Sequence, residues 1–559
     1  MTTLRRKALA AAPDAATSTT SNPAAAVLGR LARALARVRA TRSTDSEPAR
    51  PPGLLAGLHP LLFGIYPVLF LWSQNVGEVG PDDVGDAFGY VFVAAIVAMI
   101  VLSLIFLDRR RGALLVSPAI LGFLLYGHIA ELNVPPEVEK GIWFAVLAIA
   151  LVLALKLSTK WLGRVDTALF RIATLLVAVS LVSIVPTEVE EAMHPQPILA
   201  AGHVLPSDTT AQKRDVYWLV FDRYGSDRSF QLQFNVTNDM TPWLKDQGFT
   251  VLANSHANYV ATALSMSTTL NMTPLDKLTA GVSTSSRSYA PTYSALQSPL
   301  VARQFQALGY RYLHLGSWWN PTRTDVAADK NFNADGVSDF TSVVVEESLI
   351  PEAMKALGVK ELPPSESEKH VKHNTYALDT LDRIGREPGP KFVLAHVLLP
   401  HPPYVFDRDG TYIPPDQAVK LDTADAWHRQ LDYTNSRLKA FIAGLLAVPA
   451  DRQPIIILQA DEGPWPDRYA DAKFSFDWRQ ATDRELEIKF GIMNAWYLPP
   501  GVDLGLSPTQ TSINTFPILF DRYFGLDYPM LPDRVQTSRS WLQPYALIDI
   551  TSRLSSLKK

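Results

Sequence analysis

Residues 215–222 read DVYWLVFD, six apolar residues bounded by an aspartate at each end. The apolar run is continuous rather than alternating, which is typical of a strand buried on both faces. Similar runs occur at Arg311–Leu315, Phe392–Leu398, Ile455–Leu458 and Met493–Tyr497. Helical patterns lie between them, at Ala263–Leu270, Leu300–Leu308 and Ala424–Leu446. The sequence therefore predicts an α/β domain with a mostly parallel central sheet sandwiched by helices.

Five apolar runs precede this domain, at Leu54–Trp72, Ala87–Leu107, Ala113–Ile129, Ile142–Leu157 and Ala168–Val185. Each is near the length that a helix needs to cross a hydrocarbon core of about 30 Å. Basic residues are concentrated in the N-terminal tail and in the second and fourth loops, whereas the first and third loops are mainly acidic. By the positive-inside rule, this alternation predicts a multi-pass protein of the cell membrane with a cytoplasmic N-terminus and an extracytoplasmic C-terminal domain.

The predicted organisation has four parts. They are a disordered basic cytoplasmic tail over residues 1–52, a transmembrane domain over 53–186, a linker over 187–213 and the extracytoplasmic domain over 214–559. Within the tail, residues 28–38 place leucines on one helical face and arginines on the other. This pattern fits either a short helix on an anionic leaflet or a solvated basic tail.

Composition excludes several kinds of site. The 559 residues include no cysteine, which rules out disulfides, cysteine-ligated zinc and cysteine nucleophiles. The net charge of −3 gives no reason to expect nucleic acid as a partner. The sequence contains no internal repeat that we can find, and it does not indicate an oligomeric state.

Residues capable of chemistry follow several of the predicted strands. Asp222 follows the first, residues 461–463 (DEG) follow Ile455–Leu458, and His401 follows Phe392–Leu398. Taken singly, an aspartate after a strand is often a turn or cap residue, and a histidine between prolines can simply be packed. Because ligands bind at the carboxyl ends of parallel strands, the coincidence of these residues predicts a functional site.

The strand at Arg311–Leu315 is followed by residues 316–323, GSWWNPTR. From this position alone, Arg323 is a candidate to pair with a phosphate and Trp319 a candidate wall of a substrate pocket. Trp319 and its neighbour Trp318 could equally belong to the core.

Four segments resemble a known family. Residues 215–222 resemble the opening strand and first metal aspartate of the alkaline phosphatase/sulfatase superfamily, and residues 258–265 (NYVATALS) are similar to its nucleophile segment. The DEG at 461–463 stands where the family usually has Asp-His-Gly. Residues 399–404 (LPHPPY) resemble the substrate-side histidine loop of the lipoteichoic acid synthase-like branch. That branch of sulfatase-like hydrolases and transferases also joins membrane helices to an external catalytic domain.

The resemblance implies a role for each matched residue. Asp222, Thr262, Asp461 and Glu462 would bind a divalent metal, and Thr262 would also be the nucleophile at a helix N-terminus. His401 would bind substrate or protonate the leaving group. Thr is also an ordinary helix N-cap, and Ser265 is a possible substitute nucleophile. Because Glu462 replaces the usual histidine, an all-oxygen ligand set favours Mn²⁺ or Mg²⁺ over Zn²⁺.

Two functions are therefore expected from the sequence. The first is a membrane-anchored phosphoryl-group transferase or phosphodiesterase that takes a phospholipid head group and passes it to an envelope glycan, a lipid or water. Sulfate-ester hydrolysis is disfavoured, because most sulfatases of the superfamily use a formylglycine made from cysteine. The alternative is a non-catalytic sulfatase-like scaffold or glycan-binding protein of the envelope, which the replacement at Glu462 motivates. A transporter is disfavoured because the apolar runs contain few charges.

Overall fold

The structure is a computed structural model of the chain. It describes residue 53 and residues 55–127, 136–193, 202–206, 209–334, 338–356 and 365–556. The predicted basic tail at 1–52 and much of the predicted linker at 187–213 lie outside these ranges.

In the described part of the N-terminal region there are five helices, and each coincides with one of the five apolar runs. They are α1 (His59–Gln74), α2 (Pro81–Phe106), α3 (Arg109–Leu124), α4 (Pro136–Lys156) and α5 (Thr159–Met193). Two stretches, Asp83–Phe106 and Thr159–Val189, are long and apolar enough to cross a membrane. Five crossings therefore remain a prediction, and α5 continues past Pro186, where the last span was expected to end.

The chain divides into two compact units. The first comprises Met1–Phe63, Val93–Leu121 and Val134–Thr174, and the second comprises Gly64–Phe92, Gly122–Asn133 and Leu175–Lys559. In the first unit, Phe106, Leu114, Ala154 and Leu162 form a small apolar core. The second unit contains the α/β domain together with the segment that joins α1 to α2.

The α/β domain contains nine strands. They are β1 (Val216–Phe221), β2 (Thr250–Val251), β3 (Arg311–Leu315), β4 (Lys330–Phe332), β5 (Lys391–Val397), β6 (Ile455–Gln459), β7 (Asn494–Tyr497), β8 (Gln536–Ser540) and β9 (Gln543–Asp549). Seven of them form one sheet in the order β2-β7-β6-β1-β5-β3-β4. Strands β6, β1, β5, β3 and β4 are mutually parallel, whereas β7 runs antiparallel to its neighbours β6 and β2. The prediction of a mostly parallel sheet is confirmed.

Helices cover both faces of this sheet. They are α6 (Asp227–Phe234), α7 (Met240–Asp246), α8 (Thr262–Asn271), α9 (Leu275–Leu278), α10 (Ala290–Leu296), α11 (Leu300–Ala307), α12 (Asp339–Glu346), α13 (Ile350–Ala356), α14 (Glu366–Gly385), α15 (Pro415–Ala418), α16 (Thr423–Leu446), α17 (Asp467–Asp471), α18 (Asp483–Phe490), α19 (Thr515–Ile518) and α20 (Thr551–Ser556). Along β1, Tyr217, Leu219 and Phe221 pack into one core and the residues between them pack into the other. Burial on both faces explains why the β1 sequence is continuously apolar.

Candidate active site

Three neighbouring parallel strands, in the order β6-β1-β5, bring polar side chains to one edge of the sheet. Asp222 directly follows β1, and its backbone N–H donates to the carbonyl of Val397 at the end of β5 (3.0 Å). His396 lies one residue before that end, paired in register with Val220 of β1. Asp461 comes two residues after β6. All three side chains therefore meet where the parallel strands end.

Asp222, His396 and Asp461 form a candidate metal group, which we call the ligand group. Each offers one ligand atom, and these atoms lie within 4.8 Å of one another. The three residues are at most 4% exposed. Among the described residues, Asp222 Oδ1, His396 Nε2 and both Asp461 oxygens have no hydrogen-bond partner. Buried polar atoms without partners are costly, so this set fits a bound cation well.

Burial and neighbouring charges shift the pKa values of the three ligand-group residues so that the neutral form of each side chain is favoured. Burial and then the Asp461 carboxylate raise the pKa of Asp222 well above its usual value. Burial and then Glu462 raise the pKa of Asp461 to about 7, which the nearby Thr262 hydroxyl opposes. Burial lowers the pKa of His396 to about 3, so its imidazole is neutral, the form that binds a metal. A divalent cation would relieve the repulsion between the two carboxylates.

A hydroxyl pair orients the His396 ring. Its Nδ1 lies 2.7 Å from the hydroxyl of Thr322, which is itself 2.9 Å from the hydroxyl of Ser317. The ring edge also faces Trp319, with the centroids 6.1 Å apart. Because Nδ1 is engaged in this way, Nε2 is the ring nitrogen without a hydrogen-bond partner among the described residues, and such an arrangement is the usual support for a metal-binding histidine.

Thr262 is the first residue of α8, and the N-cap is Ala261 in an extended conformation. Thr262 is therefore not the ordinary N-cap that the sequence allowed as an alternative. Its half-buried side chain borders a cavity of about 550 Å³. Ser265, the substitute nucleophile, is buried and donates its hydroxyl to the carbonyl of Tyr259 (3.0 Å). The structure thus brings Thr262, and not Ser265, to the cavity.

His401 also lines this cavity. Its Nε2 is 3.9 Å from Asp222 Oδ2, and its ring packs edge-on to Trp318 with the centroids 6.1 Å apart. Burial, followed by the charge of Arg223, holds the pKa of His401 well below its usual value. The strand-end cluster predicted from the sequence therefore places His401 beside the ligand group as a neutral imidazole.

Glu462 has surroundings different from those of Asp461. Its Oε1 is 2.7 Å from Lys489 Nζ and 3.3 Å from Arg223 Nε, and it also accepts a hydrogen bond from Trp465 Nε1 (3.1 Å). The guanidinium of Arg223 stacks on the Trp465 ring at 3.6 Å. We call Arg223, Glu462 and Lys489 the ion-pair group. All three are buried, and Glu462 is not part of the ligand group.

Gly463 makes this ion pair possible. A Cβ at this position would lie 2.3 Å from the carbonyl oxygen of Ile488. The Gly463 N–H donates to the carbonyl of Lys489 at 2.8 Å, so the loop after β6 lies directly against the end of α18. Only glycine permits this approach, which explains the third residue of the DEG segment.

Residues 76–83, which join α1 to α2 and begin α2, form one wall of the cavity. We call them the wall segment. Glu78 Oε2 is 3.8 Å from Lys473 Nζ, and Asn320 donates to Asp83 Oδ1 at 2.7 Å. The carbonyl of Gly77 accepts from the N–H of Tyr289 at 2.9 Å. The wall segment is therefore held against the α/β domain by backbone and side-chain contacts.

The two remaining predicted substrate residues are placed differently. Trp319 lines the cavity, where it packs edge-on to Tyr293. Arg323 is not among the cavity-lining residues of the described chain. It lies near His373, where burial and then the charges of Lys369 and Arg323 lower the pKa of the imidazole to about 4. Arg223 lines the cavity instead. Sequence reasoning missed Arg223, His396 and Lys489, although a histidine inside an otherwise apolar strand was a visible signal for His396.

No family model and no curated protein matches the chain. Solved structures similar to it include the integral membrane protein lipooligosaccharide phosphoethanolamine transferase A from Neisseria meningitidis, at 12% identity over 84% of this chain and 95% of that one, with a TM-score of 0.40. Another is the C-terminal periplasmic domain of EcEptC from Escherichia coli in complex with Zn, at 12% identity over 62% and 96%, also with a TM-score of 0.40.

A third similar structure is a protein in the alkaline phosphatase superfamily from Vibrio parahaemolyticus, at 13% identity over 61% of this chain and 76% of that one, with a TM-score of 0.37. The description of this third structure names the superfamily that the sequence motifs of the chain resemble.

Proposed function

We propose that the chain is a membrane-anchored, extracytoplasmic phosphoryl-group transferase that depends on a divalent metal and uses Thr262 as its nucleophile. One observation carries this proposal: Thr262 opens a helix at the rim of a cavity, beside a buried ligand group with unpartnered oxygen and nitrogen atoms. Helix N-termini favour anions, so a phosphoryl group at this position gains from the helix dipole. The loop charges of the N-terminal region support the proposed orientation, with the N-terminus in the cytoplasm.

Each cavity residue takes a role that its contacts allow. Asp222, Asp461 and His396 would hold the metal, which when bound lowers the pKa of a nearby hydroxyl and polarises a phosphoryl oxygen. Arg223 places a guanidinium at the cavity and would stabilise negative charge on the phosphoryl group. His401 would orient the phosphate ester by a hydrogen bond. Trp319 would pack against the transferred group.

The reaction follows from these roles. The Thr262 hydroxyl loses its proton and its oxygen forms a bond to phosphorus, while the bond from phosphorus to the glycerol oxygen of a phospholipid breaks. The glycerol oxygen takes up a proton, which leaves diacylglycerol and a Thr262 phosphodiester that carries the head group. A hydroxyl of an envelope glycan or lipid then takes the group and restores Thr262. Phosphoethanolamine, the group named for the Neisseria transferase, is the first head group to test.

Thr262→Ala should lower head-group transfer on the order of 10³-fold or more, because it removes the nucleophile. Transfer is measured with detergent-solubilised full-length protein and phospholipids carrying a labelled head group. Mass spectrometry of the peptide containing Thr262 should detect the covalent adduct in the unmodified protein. Ser265→Ala is the matched control, because Ser265 is one helical turn away, and it should keep most of the activity.

The non-catalytic scaffold is the competing function. It predicts that neither the unmodified protein nor Thr262→Ala transfers a head group, and that no adduct forms on any lipid tested. That result would contradict the proposed enzyme, and full turnover by Thr262→Ala would contradict the proposed nucleophile.

A further inference from the structure

We propose that His396 is a metal ligand of this chain and that Glu462, at the position where related sites carry a histidine ligand, is instead the counter-ion of Lys489 and Arg223. The inference rests on the proposed metal-dependent function and specifies its ligand set. The imidazole ligand would therefore come from strand β5 and not from the loop after β6. The metal would then be bound by Asp222, Asp461 and His396, together with the hydroxyl of Thr262.

The first support is the placement of His396 on the sheet. Parallel pairing puts His396 beside Val220, two residues before Asp222, and the backbone N–H of Asp222 donates to the carbonyl of Val397. This ladder fixes the imidazole at the same sheet edge as the two aspartates. The side chain is fully buried, and one ring nitrogen has no partner among the described residues. An imidazole buried in this way needs either a hydrogen bond or a metal.

The second support is the orientation of the ring. Thr322, which ends a short helical turn after β3, places its hydroxyl 2.7 Å from His396 Nδ1, and Ser317 holds that hydroxyl from the other side. Metal-binding histidines commonly engage their second nitrogen in this way. His314 is the nearest contrasting residue, because its Nε2 lies 2.9 Å from the carbonyl of Thr322 and its Nδ1 lies 3.1 Å from the hydroxyl of Tyr312. His314 has a partner at each nitrogen, whereas within the described ranges His396 has one at Nδ1 and none at Nε2.

The third support is that Glu462 already has strong partners. Its Oε1 lies within 3.3 Å of two buried cations and also accepts from Trp465. If Glu462 moved to a metal, Lys489 would remain buried without a counter-charge, a situation that proteins avoid. The pairing also leaves Arg223 at the cavity with a fixed orientation, stacked on Trp465.

The ligand set changes the expected metal. The all-oxygen set predicted from the sequence favours Mg²⁺ or Mn²⁺, whereas two carboxylates and an imidazole suit Zn²⁺ or Mn²⁺ and select against Mg²⁺. We expect the stripped protein to take up Zn²⁺ or Mn²⁺ in preference to Mg²⁺ at equal concentration.

The test measures bound metal, not activity. Full-length protein in detergent is stripped with a chelator, reloaded separately with ZnCl₂, MnCl₂ or MgCl₂, and assayed for metal content and dissociation constant. His396→Ala should weaken binding at least about 100-fold, and Thr322→Val should weaken it about tenfold, because loss of a supporting hydrogen bond costs less than loss of a ligand. Asp222→Ala is the positive control for loss of metal. Unchanged metal binding in His396→Ala, or absence of metal from the unmodified protein, would overturn the inference.

Glu462 is tested in a background that leaves the net charge of the ion-pair group unchanged. The double variant Glu462→Gln with Lys489→Met removes one negative and one positive charge, so it leaves no buried unpaired lysine. It should bind metal within about threefold of the unmodified protein, because neither side chain is a ligand. Loss of metal from a folded double variant, judged by its melting transition, would overturn the inference. Thr262→Ala separates the two proposals. It should lose transfer but still bind metal, more weakly, through Asp222, Asp461 and His396, whereas a Thr262→Ala protein that stays active refutes only the nucleophile.

Discussion

Asp461 and Glu462 are adjacent in sequence and equally buried, yet the structure gives them opposite surroundings. Asp461 joins Asp222 and His396 in the ligand group, where its two oxygens have no hydrogen-bond partner among the described residues. Glu462 has two cations and an indole N–H at one oxygen. Two neighbouring carboxylates can therefore play different parts. One belongs to a buried group of like charges that a bound cation would stabilise, and the other already has cationic partners in the protein.

The strongest contrast should come from the same chemical change at both positions. Glu462→Gln should destabilise the metal-free protein by about 3 kcal/mol, because it leaves Lys489 and Arg223 buried without their counter-charge. Asp461→Asn should stabilise the metal-free protein by about 1 kcal/mol, because it removes repulsion with Asp222, although it abolishes activity. Thermal unfolding of the two variants in the same detergent, after chelation, measures both changes. Equal destabilisation of the two variants would remove the distinction between the groups.

Part of this contrast could be predicted from the sequence. Continuous apolarity marks β1, β5 and β6, and residues at strand ends carry Asp222, Asp461 and His401 to one edge. The antiparallel direction of β7 could not be predicted, because strand direction depends on how the chain returns to the sheet and not on local composition.

The ligand His396 and the partner Lys489 were missed for a related reason. His396 lies inside a strand, so its spatial neighbours can be identified only when the register of β5 beside β1 is known. Lys489 lies near the end of α18, and its contact with Glu462 depends on the close approach at Gly463. Residues that act through tertiary register leave a weaker signal in the sequence than those at strand ends.

A smaller effect should appear in the pH dependence of the metal-free protein. The folded pKa of Asp461 is raised to about 7 from an ordinary value near 3.8, so the folded state binds a proton that the unfolded state has already lost. The free energy of unfolding should therefore fall as the pH rises from about 4 to about 7. The whole loss of stability should be present above that range. We expect a higher melting temperature at pH 5.5 than at pH 8 after chelation.

Two controls identify the source of this pH effect. Asp461→Asn should reduce the difference between the two melting temperatures, whereas saturating Zn²⁺ should reverse it, because metal binding competes with protons. A pH difference that is the same in Asp461→Asn would assign the effect to other groups.

The smallest effect concerns the wall segment, which contributes Glu78 to the surroundings of the ion-pair group. Glu78 pairs with Lys473 at 3.8 Å, both side chains are about a quarter exposed, and Lys473 stacks on Trp541. Arg223 and Glu462 are close enough to Lys473 to affect its pKa.

Glu78→Gln should weaken binding of a phospholipid donor by about 1 kcal/mol, which raises KM about fivefold. The effect is small because partly exposed ion pairs contribute little. The turnover number and the metal content should stay unchanged, since no ligand is altered. Loss of bound metal from Glu78→Gln would show that the two groups are coupled, and the comparison of Asp461 with Glu462 would then no longer separate metal binding from charge pairing.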